Sequence, residues 1–400
     1  MVRPVIDAAP PKQAPRRTRR RNVVVLPVTG LIILGLCGLI LLGVAANRVG
    51  PVGVLVGAAA ALLPVCPVVG AFLWIDRWEP EPPKLMLTAF LWGACVATIT
   101  SLLLNDSAEI LAETLLGTGG GDTVKAVIAA PLVEEATKGA FLIAVMWRWR
   151  NEFDGLVDGV VYAGLTAAGF AFTENIFYFG RAFAEGGFGG VSEGVVAVFI
   201  LRGVLAPFAH PLFTVMTGLG VGRAALSNNG ATRWLAPLGG YLLAVTLHAL
   251  WNGSATLGSG AVFINFYFLV MVPIFGSTVA LLMWQRRREQ RILADQLPKF
   301  EAEGWIPASE VEPLGSLQGR RGWRQAVRRR GGKAAGQALG SYQATVTELA
   351  FLRHRMERGT AGMDAAELQE ELLVELRATR GRTVTLTREP DGGAAPSTSG

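Results

Sequence analysis

Cysteine is scarce in this 400-residue chain: Cys37, Cys66 and Cys95 are all it has, each in a different apolar stretch and none in a CxxC spacing. That argues against a disulfide framework or a thiolate metal site and leaves three small buried hydrophobes as the simplest reading. Histidine is equally rare at three, and charged residues make up only 17%. The basic runs lack interleaved aromatics, so no nucleic-acid surface is expected. What is abundant is apolar: 51% of residues, with a mean hydropathy of +0.40. The apolar residues come in blocks rather than a 3.6-residue stripe, which excludes an ordinary soluble protein.

About 20 apolar residues cross a bilayer as a helix. Eight blocks meet that length, at about 24–46, 51–75, 86–104, 124–147, 155–180, 194–222, 234–255 and 261–284. Glycine and proline recur inside them, as lipid-embedded helices tolerate. The expected fold class is therefore all-α: a polytopic integral membrane protein of about eight transmembrane helices, lying in the plasma membrane. Residues 1–22 form a basic N-terminal segment with Arg16, Arg17, Arg19, Arg20 and Arg21. With that segment inside, the inner loops carry Arg77, Lys84, Arg148, Arg150, Arg223 and Arg233, and the last block exits into Arg286, Arg287 and Arg288. The outer loops carry only Arg48 and Arg181, with Lys125 at a border. Both termini are thus expected in the cytoplasm. Attraction to anionic lipid accounts for the basic balance.

The transmembrane region is expected over 23–284, followed by a cytoplasmic tail over 285–400. In that tail "QATVTELAFLRHRMERG" and "MDAAELQEELLVELRATRG" read as helices. The second opens with Asp364 and Glu367 at capping-box spacing. Leu368, Leu372, Leu373 and Leu376 follow as an apolar stripe. Residues 392–400 read as disordered. No catalytic constellation stands out in the tail, and His354, among Arg353, Arg355 and Arg358, reads as a solvated surface residue. A regulatory or partner-binding appendix is the expectation.

Ionisable residues inside membrane blocks are costly and mark functional sites. Here they concentrate in four consecutive blocks. The fourth holds Glu134, Glu135 and Lys138; the fifth Glu174 with Asn175; the sixth Arg202 and His210; the seventh His248 with Asn252. At about 1.5 Å per residue, all can meet in one layer between the midplane and the outer surface. Glu134 and Lys138 share a helix face, as do His248 and Asn252. Each residue has a bland alternative: a neutralised Glu134–Lys138 pair, Arg202 as partner of a glutamate, the asparagines as interhelical glue, His248 as packing. Three carboxylates and two imidazoles at one depth are the raw material for activating water, by carboxylate or by metal.

"EEATK" (134–138), "FAFTEN" (170–175), Arg202 followed by His210, and "HALWN" (248–252), in that order, resemble the PrsW family of intramembrane proteases. That family is a branch of the superfamily containing the CAAX prenyl endopeptidases. The resemblance covers about 124–255 and implies peptide-bond hydrolysis of a membrane-anchored protein, site-1 cleavage of an anti-sigma factor being the family's associated role. It implies Glu134 as the base, Glu135 as support or ligand, and His248 with Asn252 at the carbonyl oxygen. Two departures from the CAAX pattern stand out. Lys138 lies four after Glu134 where those enzymes carry an arginine one residue later, and Glu174 stands where they have histidine. His210 offers a replacement imidazole. No HExxH is present, and Glu135, Glu174, His210 and His248 form a ligand pool for Zn²⁺. The expected catalytic set is Glu134, Glu135, Glu174, His210, His248 and Asn252. The alternatives are a proton-coupled transporter or channel and a non-catalytic scaffold; a transporter would commonly show symmetric repeats, which this chain lacks.

Overall fold

The computed structural model describes residues 22–77, 81–117, 121–149, 153, 155–190, 193–227, 229–359, 361 and 365–388. Arg16 to Arg21, Arg150, Asp364 and residues 392–400, on which expectations were placed, lie outside that set. The described residues form helices and no strands: α1 (Asn22–Ile75), α2 (Pro83–Leu91), α3 (Thr98–Leu116), α4 (Gly121–Val124), α5 (Ala130–Arg148), α6 (Leu156–Gly186), α7 (Gly194–Val198), α8 (Ala209–Ala225), α9 (Gly230–Thr256), α10 (Gly260–Phe266), α11 (Val272–Ala302), α12 (Ala308–Leu314), α13 (Leu317–Glu357) and α14 (Ala365–Arg388). Among the described residues, four wider, π-helical stretches extend the helices beside them, at 92–97, 125–129, 199–205 and 267–271, and all but the third join two helices into a longer rod. Such stretches favour functional sites, and two of these four, 125–129 and 199–205, contribute to the cavity described below.

Among the described residues, six helical stretches are long and apolar enough to cross a membrane. The first, 47 residues, is two crossings: Gly50, at φ 74°, turns the chain between them. Glycine is suited to that left-handed backbone because it has no Cβ. The 121–148 rod is shorter in apolar run because Glu134, Glu135 and Lys138 interrupt it, and it completes the expected eight. The protein is a multi-pass membrane protein.

α6 is the axis of the bundle. Its apolar window is 83% buried, against 11–33% for the other candidate spans. α1, α8 and the α2 rod all pack against it. Gly159 of α6 and Gly218 of α8 show why: a Cβ on either would sit 2.2 Å from the other's carbonyl oxygen. Without a hydrophobic drive between helices in lipid, such small-residue contacts let backbones approach and pack.

The tail holds more helix than the two expected segments. α11 runs unbroken from the last span to Ala302, and α12, α13 and α14 bury a core of their own that includes Leu297, Phe300, Leu314, Tyr342 and Leu349. Leu372 and Leu376 are buried in it, with Leu368 and Leu373 packed against it, as the stripe predicts. His354 departs from expectation: it is half-buried with Nε2 enclosed, and burial, with Arg358 and Arg288 nearby, lowers its proton affinity.

Candidate active site

Helix α5 presents its charged residues inward. Glu134, Glu135 and Lys138 are all buried, although Leu132 on the same helix is exposed to the lipid side. The i, i+3 and i, i+4 spacings stack the lysine over both carboxylates. Its Nζ lies 2.8 Å from Glu135 Oε1 and 3.7 Å from Glu134 Oε2. It also lies over the Phe170 ring, 4.1 Å from the centroid.

The two glutamates differ in how they are held. Glu135 has both oxygens committed: Oε1 to Lys138 and, at 3.1 Å, to His248 Nδ1, and Oε2 to the Thr214 hydroxyl, which donates at 2.8 Å. Glu134 accepts only one long bond, from Asn105 Nδ2 to Oε1 at 3.4 Å. Its Oε2 is buried without a hydrogen-bond partner and lies 3.9 Å from His248 Nε2. A buried carboxylate oxygen left unpaired is unusual enough to call for a ligand, a water or a chemical role.

A second group forms around α6. Arg202, carried by the π-helical 199–205 stretch, donates to Glu174 Oε2 at 2.5 Å and to Asn175 Oδ1 at 2.8 Å. Its guanidinium also covers the Tyr178 ring at 3.8 Å. Glu174 in turn meets His210 Nε2 at 2.8 Å. His210 sits where Pro207 and Pro211 interrupt the backbone ladder: the 199–205 stretch ends at Leu205 and α8 begins afresh at Ala209. The bend turns His210 toward His248, with ring centroids 5.2 Å apart at 85°. The second ring is fixed by stacking on Phe213 at 4.9 Å.

All six expected catalytic residues therefore gather, five of them on one cavity of about 1110 Å³ and Glu135 immediately behind it. Arg48, Asp122, Lys125 and Arg181 line its mouth, residues that the charge bias assigns to the outer side. Asn252 is also committed, its Nδ2 donating to Ala126 O at 2.8 Å. The metal geometry differs from the expected pool. Donor atoms of Glu134, His210 and His248 lie within 4.8 Å of one another. Glu135 meets His248 Nδ1 and Glu174 meets His210 Nε2, which leaves the second ring nitrogen of each imidazole available to an ion. That is the arrangement of a histidine ligand oriented by an outer carboxylate, and the uncommitted Glu134 Oε2 completes an N/O donor set suited to zinc.

Two contributors escaped the sequence reading. Asn105 lies one residue past the assigned end of the third block, because α3 continues to Leu116. Thr214 lies four after His210 and so on its face, a spacing that carried the signal unread.

Carboxylates and imidazoles thus gather among membrane helices around a buried, unpartnered oxygen of Glu134 at a polar cavity, a set of groups able to activate water. Residues 81–278 match the model of the PrsW family intramembrane metalloprotease. Similar proteins include Protease PrsW of Geobacillus kaustophilus, 27% identical over 196 residues, which cover 48% of this chain and 77% of the relative. Protease PrsW of Clostridioides difficile is 27% identical over 195 residues, covering 48% and 76%. That of Oceanobacillus iheyensis is 26% identical over 224 residues, covering 56% and 92%. No solved structure matches. The chain belongs to the PrsW family: it is an intramembrane protease, and it acts on membrane-anchored substrates. The family match displaces the transporter and scaffold alternatives.

Proposed function

We propose that the enzyme hydrolyses a peptide bond of a membrane-anchored protein at the Glu134–His210–His248 centre, and that an anti-sigma factor cut at site 1 is the substrate class. The observation that carries the reading is the buried, unpartnered Oε2 of Glu134 facing two imidazoles in a cavity with a polar mouth. The positively charged inner loops support a plasma-membrane protein with both termini cytoplasmic. The cavity mouth then faces outward.

The residues divide the work as follows. Glu134, His210 and His248 would hold a zinc ion, which when bound supplies Lewis-acid polarisation of the reacting oxygen. Glu134 takes the proton of the attacking water on Oε1, which is held only by the long 3.4 Å hydrogen bond from Asn105 and leaves Oε2 for the ion. Glu135 fixes His248 through Nδ1, which aims Nε2 at Glu134. Arg202 fixes Glu174, and Glu174 fixes His210. Asn252, tied to Ala126 by one N–H, offers its second N–H to the oxygen that gains charge as the carbonyl is attacked. The tail, residues 285–400, serves as a cytoplasmic regulatory or partner-binding unit.

Purified full-length protein in detergent, incubated with membrane-segment peptides, is expected to cleave them, to lose activity in chelator, and to lose it in Glu134→Gln. Full activity of Glu134→Gln would overturn the assignment of the base.

A further inference from the structure

Lys138 is the one charged group at the centre that the proposed chemistry leaves without a task. It is completely buried, and the full exclusion of an ammonium from water is expensive unless its surroundings compensate. The compensation is informative. Nζ is 2.8 Å from Glu135 Oε1, 3.7 Å from Glu134 Oε2 and 3.4 Å from His210 Nδ1. Two of these three atoms are donors that a metal would use. Glu134 Oε2 has no hydrogen-bond partner, and His210 Nδ1 is the ring nitrogen that Glu174 leaves free.

We infer that the Lys138 ammonium and a divalent cation are alternative occupants of one site, so that Lys138 sets the metal affinity of the enzyme. The inference rests on the metal-binding part of the proposed function. Zinc bonds to imidazole nitrogen and carboxylate oxygen are about 2.0–2.2 Å long. An ion held by Glu134 Oε2 and His210 Nδ1 would therefore be a close neighbour of Nζ, which stands 3.7 Å and 3.4 Å from those two atoms. That is too close for an ammonium and a dication in a dehydrated interior, where charges interact far more strongly than in water. Nζ must withdraw for the ion to enter.

The charge count agrees. Taken as ionised, Glu134, Glu135 and Glu174 set three negative charges against two positive ones on Lys138 and Arg202. A dication added to these leaves an excess positive charge. A dication in place of the Lys138 charge leaves none. Lysine suits such a displaceable role better than arginine. It is a single point of charge on a flexible stem, without the rigid fork that locks a guanidinium to carboxylates. Arg202, bound through two of its nitrogens, shows the contrast in the same cavity.

The test measures metal binding, not catalysis. Full-length protein in detergent is stripped with chelator, dialysed against graded Zn²⁺, and its bound zinc determined by elemental analysis. Lys138→Met is expected to bind zinc at least about tenfold more tightly than the unsubstituted protein, because the competing charge is gone. Lys138→Arg is expected to bind no more tightly. In the Lys138→Met background, His210→Ala and His248→Ala are expected to remove the gain, which locates the ion. Should Lys138→Met be unfolded when stripped, zinc is expected to restore its cooperative melting transition, and Lys138→Gln, which keeps a donor for Glu135, is expected to show the same tightened binding. Equal or weaker zinc affinity in a folded neutral variant overturns the inference, as does failure of zinc to restore an unfolded one. Chelator-sensitive peptide cleavage by the unsubstituted protein, alongside unchanged zinc affinity in Lys138→Met, overturns the inference while leaving the proposed function standing. A gain in zinc that survives both histidine substitutions overturns the inference and the assigned metal ligands together.

Discussion

Replacing Arg202 by methionine isolates the group that holds Glu174 and, through it, His210. The substitution removes a donor 2.5 Å from Glu174 Oε2, another 2.8 Å from Asn175 Oδ1, and the cation over Tyr178. Breaking a buried ion pair by removing one partner costs about 3–5 kcal/mol, because the other charge is left uncompensated. Both side chains here are 21% exposed at the cavity wall. Water reaching Glu174 therefore reduces the loss to the lower end, about 3 kcal/mol. For a bundle of this size, that corresponds to a melting temperature lower by about 6–12 °C. The informative comparison is Arg202→Met with Glu174→Gln in the same chain. Removing both charges is far less costly than removing one, so the double variant is expected to regain most of the lost stability. It is also expected to remain inactive, since His210 has lost its carboxylate. Thermal unfolding in detergent reads the first quantity and peptide cleavage the second. An unchanged melting temperature in Arg202→Met, or a double variant no more stable than the single, would refute the coupling of Arg202 to Glu174.

The two adjacent glutamates are expected to separate in one experiment. Glu134→Gln abolishes cleavage with a smaller loss of melting temperature than Glu135→Gln, since a 3.4 Å hydrogen bond and a 3.7 Å ion pair with Lys138 are at stake. Glu135→Gln destabilises by about 3 kcal/mol, because Lys138 loses its nearest counter-charge. Asp76, just past the end of α1, is held up to about 7 by burial, against the backbone N–H of Glu81, which favours its charged form, and with Asp158 adding to the rise. The folded protein then keeps a proton that the unfolded chain releases, so this contribution falls as pH rises from about 4 to about 7 and is level above. Asp76→Asn is expected to flatten the melting temperature over that window, and an unaltered slope would count against it. Gly159→Val drives a side chain into the Gly218 carbonyl, 2.2 Å from its first carbon. Loss of folded, monodisperse protein is the expected result, read by size-exclusion chromatography.

The membrane architecture and the active-site members were legible because lipid imposes simple rules. Charge inside an apolar block is expensive, so Glu134, Glu174 and Arg202 announced themselves. What remained hidden was polar without being ionised, or depended on a boundary. Asn105 was lost to a helix end drawn at 104, and Thr214 has a residue type too common to signal anything alone. The roles of Glu135 and Glu174 were hidden for another reason. Sequence spacing shows which residues share a face, but not which nitrogen of an imidazole a carboxylate will meet. In the tail, the glycines of "RRRGGKAAGQALG" look alike in sequence. Gly331 and Gly332, the latter at φ 72°, do turn the chain, whereas Gly336 lies inside the helix against Arg328. Composition cannot tell a hinge from a packing notch.

The unbroken α11 has a mechanical consequence. Thirty-one helical residues make a rod roughly 46 Å long, whose far end is gripped by the tail's core at Leu293, Leu297 and Phe300. Such a rod transmits tilt and twist with little loss. Its near end continues from the stretch holding Tyr267, whose hydroxyl donates to Leu205 O at 2.8 Å, at the bend immediately before His210. A torque applied to the tail is thus delivered, with no flexible joint between, to the backbone that aims one imidazole of the centre.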